Sequence, residues 1–320
     1  MRIYYLSHLK NVLYREPSFI LKYYLHRYAV EDARLPSFVF MADGKMPHGG
    51  LFDRLKGLVA IYAIAKSESQ GFAVNFTNPF VLEKYLVPNQ YDWRADDGAI
   101  VYSYPRTRPV IAYSEFKTPD RLFRKRNGQT HFYFGNDILD YINKWYGMSY
   151  EWESLYNELF QPSDYLKYHI NSIKQKIGGK YNAVHFRFQN LLGDHTEYGK
   201  YTVLRDNEKK KLENECIKKL HDINDQLQED ERLVVFSDSM VFLEYVKKNN
   251  SSYYVVPGNV KHVDNINETS EDEALKLFID MYLMIDAEKV FSIVGNQLYP
   301  SAFPEYSAKI GRKTFERLSL

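Results

Sequence analysis

Four short stretches carry side chains whose types and spacing fit chemistry. In Asn182-Ala-Val-His-Phe-Arg-Phe188, strand alternation puts His185 and Arg187 on one face and Val184, Phe186 and Phe188 on the other. Burying an unpaired charge is expensive. Arg187 therefore either joins a structural ion pair or leaves the strand's end to grip a phosphate, which its planar fork suits. Leu192-Gly-Asp-His-Thr-Glu197 follows and adds the carboxylates Asp194 and Glu197. In His48-Gly-Gly-Leu-Phe-Asp-Arg54, Gly49 and Gly50 let backbone amides approach a ligand, with Asp53 and Arg54 in the first turn of a helix. The same letters also make a plain tight turn, and they match neither G-x-G-x-x-G nor a Walker loop. In Phe236-Ser-Asp-Ser239, any of the three polar residues can cap a helix, or Asp238 can accept hydrogen bonds from a base or ribose. Within Gly295–Phe303, Ser301 with backbone amides suits a phosphate and Phe303 suits stacking on a base. A capped helix with a core aromatic reads equally well there.

Strands and loops must hold these residues, and the hydrophobic pattern supplies them. Ser37–Met41 is a short apolar run, as in a buried strand. A loop with Gly44, Gly49 and Gly50 follows. Leu51, Leu55, Leu58, Tyr62 and Ala65 then recur at helical spacing, and Phe72–Phe76 reads as a second strand. Strand, glycine loop, helix and strand make a βαβ unit and imply a parallel sheet. Gly57 within the helix costs ~1 kcal/mol relative to Ala, so a close helix–strand contact is expected there. Further strand-like pieces lie at Ile100–Tyr104, Val110–Tyr113 and His131–Phe134, and Ile138–Ile177 is mostly helical up to Gly178-Gly179. A second set begins with strands at Asn182–Phe188, Leu233–Phe236, Tyr253–Val256 and Val290–Val294. Its helices lie at Glu208–Leu227, Met240–Lys248 and Ala302–Phe315. Ser270 and Glu273 form a capping box for a helix with the stripe Ala274, Phe278, Met281, Tyr282 and Ile285. The reading is thus α/β: residues 1–150 and 179–320 as two domains, joined by a helical region at 151–178. Ligands on such sheets bind at the carboxyl ends of strands, and a cleft between two facing sheets would be the site.

Composition narrows the function classes. The chain has 320 residues, 45% hydrophobic and 26% charged, as in an ordinary globular protein. With 42 Lys+Arg against 41 Asp+Glu, no global field marks a nucleic-acid binder. The lone Cys216 excludes an intramolecular disulfide and fits a reducing compartment. The longest apolar run, Leu58–Ala65, is far short of the ~20 residues of a membrane span. Without an apolar leader segment the expected location is the cytoplasm. Two stretches leave room for peripheral membrane contact. Met1–Glu31, rich in Tyr and basic residues, reads as amphipathic helix that packs on the first domain or lies on a membrane surface. Lys117–Arg126, with five basic residues, is a solvated loop or a contact with an anionic carrier such as a lipid pyrophosphate. The 28 tyrosines suit a sugar-binding cleft but also reflect compositional bias.

Taken together, the motifs resemble the GDP-fucose-dependent fucosyltransferase superfamily, which includes α1,2- and α1,6-transferases, Nod-factor enzymes and protein O-fucosyltransferases. Gly49-Gly-Leu-Phe-Asp-Arg-Leu-Lys-Gly57 is similar to its G-G-x-G-[ND]-[RQ]-x-x-G motif, and His185-Phe-Arg187 to its H-x-R. Phe236-Ser-Asp-Ser239 and Ser301-Ala-Phe303 are similar to its later Ser/Asp and S-[ST]-F-S motifs. The likeness runs from about residue 36 to 315. Phe52 stands where the family has its third glycine, Ala302 where it has a hydroxyl, and Gly193-Asp194 follows the H-x-R at a stretched distance.

The resemblance implies a GT-B fold of two facing Rossmann-like domains. The N-terminal domain would lie on the acceptor side, and the C-terminal one would hold the donor. It implies transfer of fucose from GDP-fucose to a glycan or lipid-linked glycan in surface-polysaccharide assembly, with inversion and without cofactor. No metal is expected, and the sequence contains no D-x-D triplet. Arg187 would neutralise the departing diphosphate and His185 would orient it. His48, Gly49, Gly50, Arg54, Ser239 and Ser301 would line the donor, with Asp238 and Phe303 at the guanine. Asp53, then Asp194 and Glu197, are the candidates for general base. The alternatives are a GT-B transferase for another nucleotide sugar and a catalytically inactive sugar- or nucleotide-binding module.

Overall fold

The computed structural model describes residues 14–25, 38–104, 106–112, 122–123, 128–194, 203–250, 252–260, 263, 270–295 and 297–320. They form two compact units, each around its own parallel sheet. The first comprises Met1–Leu82 and Val87–Gln161; the second takes Glu83–Leu86, Pro162–Val263 and Thr269–Leu320. The helical region 151–178 accordingly divides between them.

In the first unit, α1 (Glu16–Tyr23) precedes β1 (Phe38–Ala42), α2 (Leu51–Ser67) and β2 (Phe72–Phe76). After β3 (Leu86–Pro88) come β4 (Thr107–Ile111), β5 (Gln129–Tyr133), α3 (Leu139–Tyr146), α4 (Trp152–Leu159) and β6 (Phe160–Pro162). The main sheet has the order β2-β1-β5-β4 and every pairing in it is parallel, as the βαβ pattern requires. β1 is buried along its whole length, which explains its continuous apolar run. From Leu51 to Ala65 α2 is buried almost all round, a central helix rather than a surface one. A Cβ on Gly57 would fall 2.1 Å from the Phe134 carbonyl oxygen, which is the close approach expected of that glycine. The described part of the N-terminal segment packs inward: Phe19 and Tyr24 join Val39, Met41, Ile111 and Tyr133 in one cluster.

The second unit runs α5 (Asp164–Ile177), β7 (Lys180–Phe186), α6 (Asp206–Asn224), β8 (Glu231–Ser237), α7 (Met240–Asn249) and β9 (Tyr254–Val255). It ends with α8 (Glu271–Asp286), β10 (Lys289–Val294), α9 (Ala302–Ile310) and β11 (Thr314–Ser319). Its sheet order is β11-β10-β7-β8-β9, again parallel. Val184, Phe186 and Phe188 pack with Leu212, Cys216 and Leu220 of α6 and Phe242 and Val246 of α7. Alternation sends His185 to the opposite face, as the sequence predicted. The capping box at the start of α8 forms in both directions, Glu273 N–H to Ser270 Oγ and Ser270 N–H to Glu273 Oε2.

Two expectations fail. Ile100–Tyr104 is not a strand: the Gln129 side chain holds it instead, accepting from Val101 N–H and donating to the Ala99 carbonyl. The predicted helix Ala302–Phe315 stops at Ile310, because Gly311 passes under Ile285, where a Cβ would sit 2.1 Å from its carbonyl oxygen. The chain then turns and adds β11 to the sheet edge. The second unit's sheet changes winding direction once, between β7 and β10, and such a switch point is where open α/β sheets hold ligands.

Replacing Gly57 with Ala should cost about 1–3 kcal/mol of stability through overpacking, read as a lowered urea midpoint, despite the gain in helix propensity. An unchanged midpoint would mean that α2 can move away from Phe134.

Candidate functional site

The second unit's switch point gathers most of the motif residues. Arg187 follows β7, and its carbonyl accepts the Tyr299 N–H at 3.0 Å, which joins the exit of β10 to the exit of β7. The guanidinium lies over the Tyr299 ring, 5.2 Å from its centroid, a cation–π contact. Its Nε is 4.0 Å from Asp238 Oδ2. Asp238 also accepts the N–H groups of Phe188 (2.8 Å) and Gln189 (2.9 Å). Gln189 has φ of 52°, a left-handed conformation, so the carboxylate fixes a turn that the backbone alone disfavours.

His185 is buried beside Arg187, its ring 6.1 Å from that of Phe303. Burial first and the Arg187 charge second push its pKa down to about 3, so the imidazole is neutral near pH 7. Its Nδ1 is buried without a hydrogen-bond partner among the described residues. Ser301 caps α9 by accepting the Phe303 N–H at 3.2 Å, which places hydroxyl, helix N-terminus and aromatic ring together.

Ser239 and Asp194 do something more local. Of the three possible caps the chain uses Ser239, which accepts from Phe242 N–H at 3.2 Å and is fully buried. Its hydroxyl donates to Asp194, whose Oδ2 also accepts the Val241 N–H at 2.9 Å. Asp194 thus braces the start of α7, a task that occupies the oxygens a general base needs. Glu197 lies outside the described residues, as does nearly all of Lys117–Arg126.

In the first unit the carboxyl end of β1 leads into the glycine loop. Gly50 is the N-cap of α2, and its carbonyl accepts the Arg54 N–H. A Cβ on Gly49 would sit 2.3 Å from Asp53 Oδ2, so Asp53's placement demands glycine there. The Asp53 carboxylate is half exposed, 3.6 Å from Lys56 Nζ. Phe52 is buried in the first turn of α2. Arg54 is buried with its guanidinium over the Phe76 ring, 5.7 Å from the centroid. His48 is buried too, and burial first and Arg54 second push it down to about 3.

Several polar groups escaped the sequence reading. Asp43, just after β1, accepts from Tyr102 Oη (2.6 Å), Lys45 Nζ (2.8 Å) and Tyr133 Oη (3.2 Å). Burial pushes its pKa up, but the hydrogen bonds from Lys45 and Tyr102 outweigh that and hold it below the usual range. On α8, Lys276 and Asp280 form a buried ion pair, and Asp280 Oδ1 has no hydrogen-bond partner among the described residues. Burial raises Asp280's pKa. A Lys and an Asp four residues apart on an otherwise apolar helix was the available signal. Tyr299 had none, because its role depends on the pairing of two distant loops.

Asp194→Ala should cost about 1 kcal/mol, the usual worth of a helix cap, read as a lowered urea midpoint. His48, His131 and His185 all have folded-state pKa values near 3 against an ordinary 6.5. With folded values depressed, the unfolded chain binds protons first. The stability they confer is complete above about pH 6.5 and is lost as pH falls from there toward 3. Each contributes a slope of up to about 1.4 kcal/mol per pH unit. Urea midpoints measured across that window should show this slope, and His131→Asn should flatten it.

Neither a protein-family model nor a curated protein matches the sequence. Solved structures do match. NodZ α-1,6-fucosyltransferase soaked with GDP-fucose superposes with a TM-score of 0.55 at 14% identity, over 86% of this chain and 92% of that one. Fucosyltransferase NodZ from Bradyrhizobium gives a TM-score of 0.53 at the same identity and coverage. POFUT1 in complex with GDP aligns over 90% of this chain and 99% of that one, at 11% identity and a TM-score of 0.41. The chain has the fold of NodZ, the GT-B α/β fold that the motifs led us to expect.

Proposed function

We propose that the chain is a glycosyltransferase that moves a sugar, fucose in the first instance, from a GDP-sugar to a glycan. The observation that carries this reading is Arg187. It stands at a topological switch point, held by Asp238 and Tyr299 and flanked by the Ser301-capped start of α9. A diphosphate is the ligand such a cation and helix N-terminus suit. The likeness of fold to NodZ, in a structure soaked with GDP-fucose, supports GDP-fucose as the donor to try first.

In the proposed reaction an acceptor hydroxyl attacks the anomeric carbon as the bond to the diphosphate oxygen breaks. The electron pair leaves with GDP, and the transition state is oxocarbenium-like. Arg187 stabilises charge on the departing oxygen, an interaction strongest in the transition state. Neutral His185 packs beside Arg187 and leaves the guanidinium as the local charge. Ser301 and the amides of α9 hold phosphate, and Phe303 offers a ring to the base. Asp238 and Ser239 act by fixing the loops. In the first unit, Asp53 is the carboxylate we assign to the acceptor's proton, since it is half exposed where Asp194 is committed to α7. One displacement inverts the anomeric centre. We further propose that the transfer needs no metal ion, that the acceptor belongs to a surface polysaccharide or its lipid-linked precursor, and that the protein works in the cytoplasm at the membrane face. No helix among the described residues is long and apolar enough to cross a membrane.

Incubation with a panel of nucleotide sugars and mixed glycan acceptors tests the reading, with release of the nucleotide as the signal. GDP-fucose should turn over. Turnover of a different nucleotide sugar would keep the transferase and change the donor. Binding without turnover of any donor would point to an inactive binding module. Arg187→Ala should lose ~10²–10³ in turnover while keeping its fold, and near-wild-type turnover would remove the assignment. Asp53→Asn should lower turnover and leave GDP affinity unchanged.

A further inference from the structure

One face of α3 carries an aromatic surface that the proposed transfer does not use. Tyr141 and Trp145 lie about one helical turn apart, their centroids 6.3 Å apart and ring planes 18° apart. Phe123 stacks on both, at 4.8 Å and 17° to Trp145 and at 5.8 Å and 25° to Tyr141. Three nearly parallel rings at these separations fit two rings side by side with the third across their seam, one contact distance (~3.5–4.0 Å) away. Burial tells which side the third is on. Phe123 is 8% exposed, whereas Trp145 is 53% and Tyr141 38% exposed. Phe123 therefore underlies the pair, and the outer faces of Tyr141 and Trp145 form a flat shelf open to water. The other two tryptophans, Trp93 and Trp152, are buried.

We propose that this shelf binds a pyranose ring of the acceptor glycan, its C–H face laid on the two aromatic faces. The proposal rests on the reading that the acceptor is a glycan. The chemistry fits: the aromatic face is electron-rich and meets weakly polarised C–H groups, while exposed Asp140 and Lys144 beside it can bond sugar hydroxyls. So does the size. Aromatic side chains bury about 150–250 Å² each, so two half-exposed rings offer on the order of 200 Å². A protein interface needs roughly 800 Å² per partner. α3 leaves the carboxyl end of β5 through a loop whose Gly135 lies against Asp53, with a built Cβ 3.5 Å from the Asp53 carbonyl oxygen. The helix then runs toward the C-terminal end of α2, where Tyr146 donates to Glu68. The shelf thus lies on the flank of the first unit, away from Asp53, and suits a sugar of an extended glycan remote from the reacting one.

Because Trp145 is the exposed tryptophan, its emission reports on the shelf. The full chain is screened on an array of neutral oligosaccharides, and hits are titrated by fluorescence and calorimetry. Bound oligosaccharide should shift Trp145 emission to the blue and shield it from acrylamide. Trp145→Ala and Tyr141→Ala should each weaken binding about tenfold, Trp145→Phe should largely retain it, and all three should bind GDP as the wild type does. Failure of every oligosaccharide to bind, or undiminished binding by Trp145→Ala, overturns the proposal. So does an emission shift caused by anionic phospholipid vesicles and not by oligosaccharide, or a dimer that Trp145→Ala dissolves. Oligosaccharide binding that depends on Trp145 in a chain without nucleotide binding would keep the shelf and discard the transferase.

Discussion

A guanidinium near the end of a parallel strand must find partners, because a buried charge without them is worth several kcal/mol against the fold. Much of the second unit's switch point is arranged around Arg187. Asp238, at the exit of the neighbouring strand, divides its charge between that cation and the amides of Phe188 and Gln189. The exit of β10 is tied to the same residue by the Tyr299 N–H and covers it with the Tyr299 ring. One cation thus fixes the relative positions of three strand ends. Holding the charge in place before a ligand arrives removes the reorganisation that a mobile side chain would require.

The first unit uses similar parts. Arg54 is buried over Phe76, and His48 is kept neutral by burial and by that same guanidinium. His185 is kept neutral beside Arg187 by the same two causes. In both units a loop at the carboxyl end of a sheet pairs an obligatory cation with an imidazole that does not compete for protons near pH 7. The glycines have a matching logic: Gly49 makes room for Asp53, and Gly57 lets α2 meet the chain after β5.

What the sequence revealed was what local chemistry dictates. The alternation around His185 and Arg187, the βαβ pattern of residues 38–76 and the Ser270–Glu273 capping box all depend on neighbours within a few positions. They stand in the structure as read. β11 was missed because its exposed, mixed pattern gives an edge strand little apolar signal. Ile100–Tyr104 looked like a strand because an extended segment held by the Gln129 side chain has the same residue types as one held by a ladder. Asp194 looked like a free carboxylate until the fold brought it to the start of α7, 45 positions away from Ser239. The Asp43 network, Tyr299 and the Phe123–Tyr141–Trp145 stack are all assembled from distant segments, so no local pattern announces them.

The central claim is that Arg187 presents a preformed site for a nucleoside diphosphate, and calorimetry tests it without knowing the acceptor. GDP, UDP and CMP are titrated into the full chain and into Arg187→Ala, with and without EDTA. The account predicts that GDP binds most tightly, that EDTA changes nothing, and that Arg187→Ala loses most of the affinity. Preference for UDP, a strict metal requirement, or undiminished GDP binding by Arg187→Ala would contradict it.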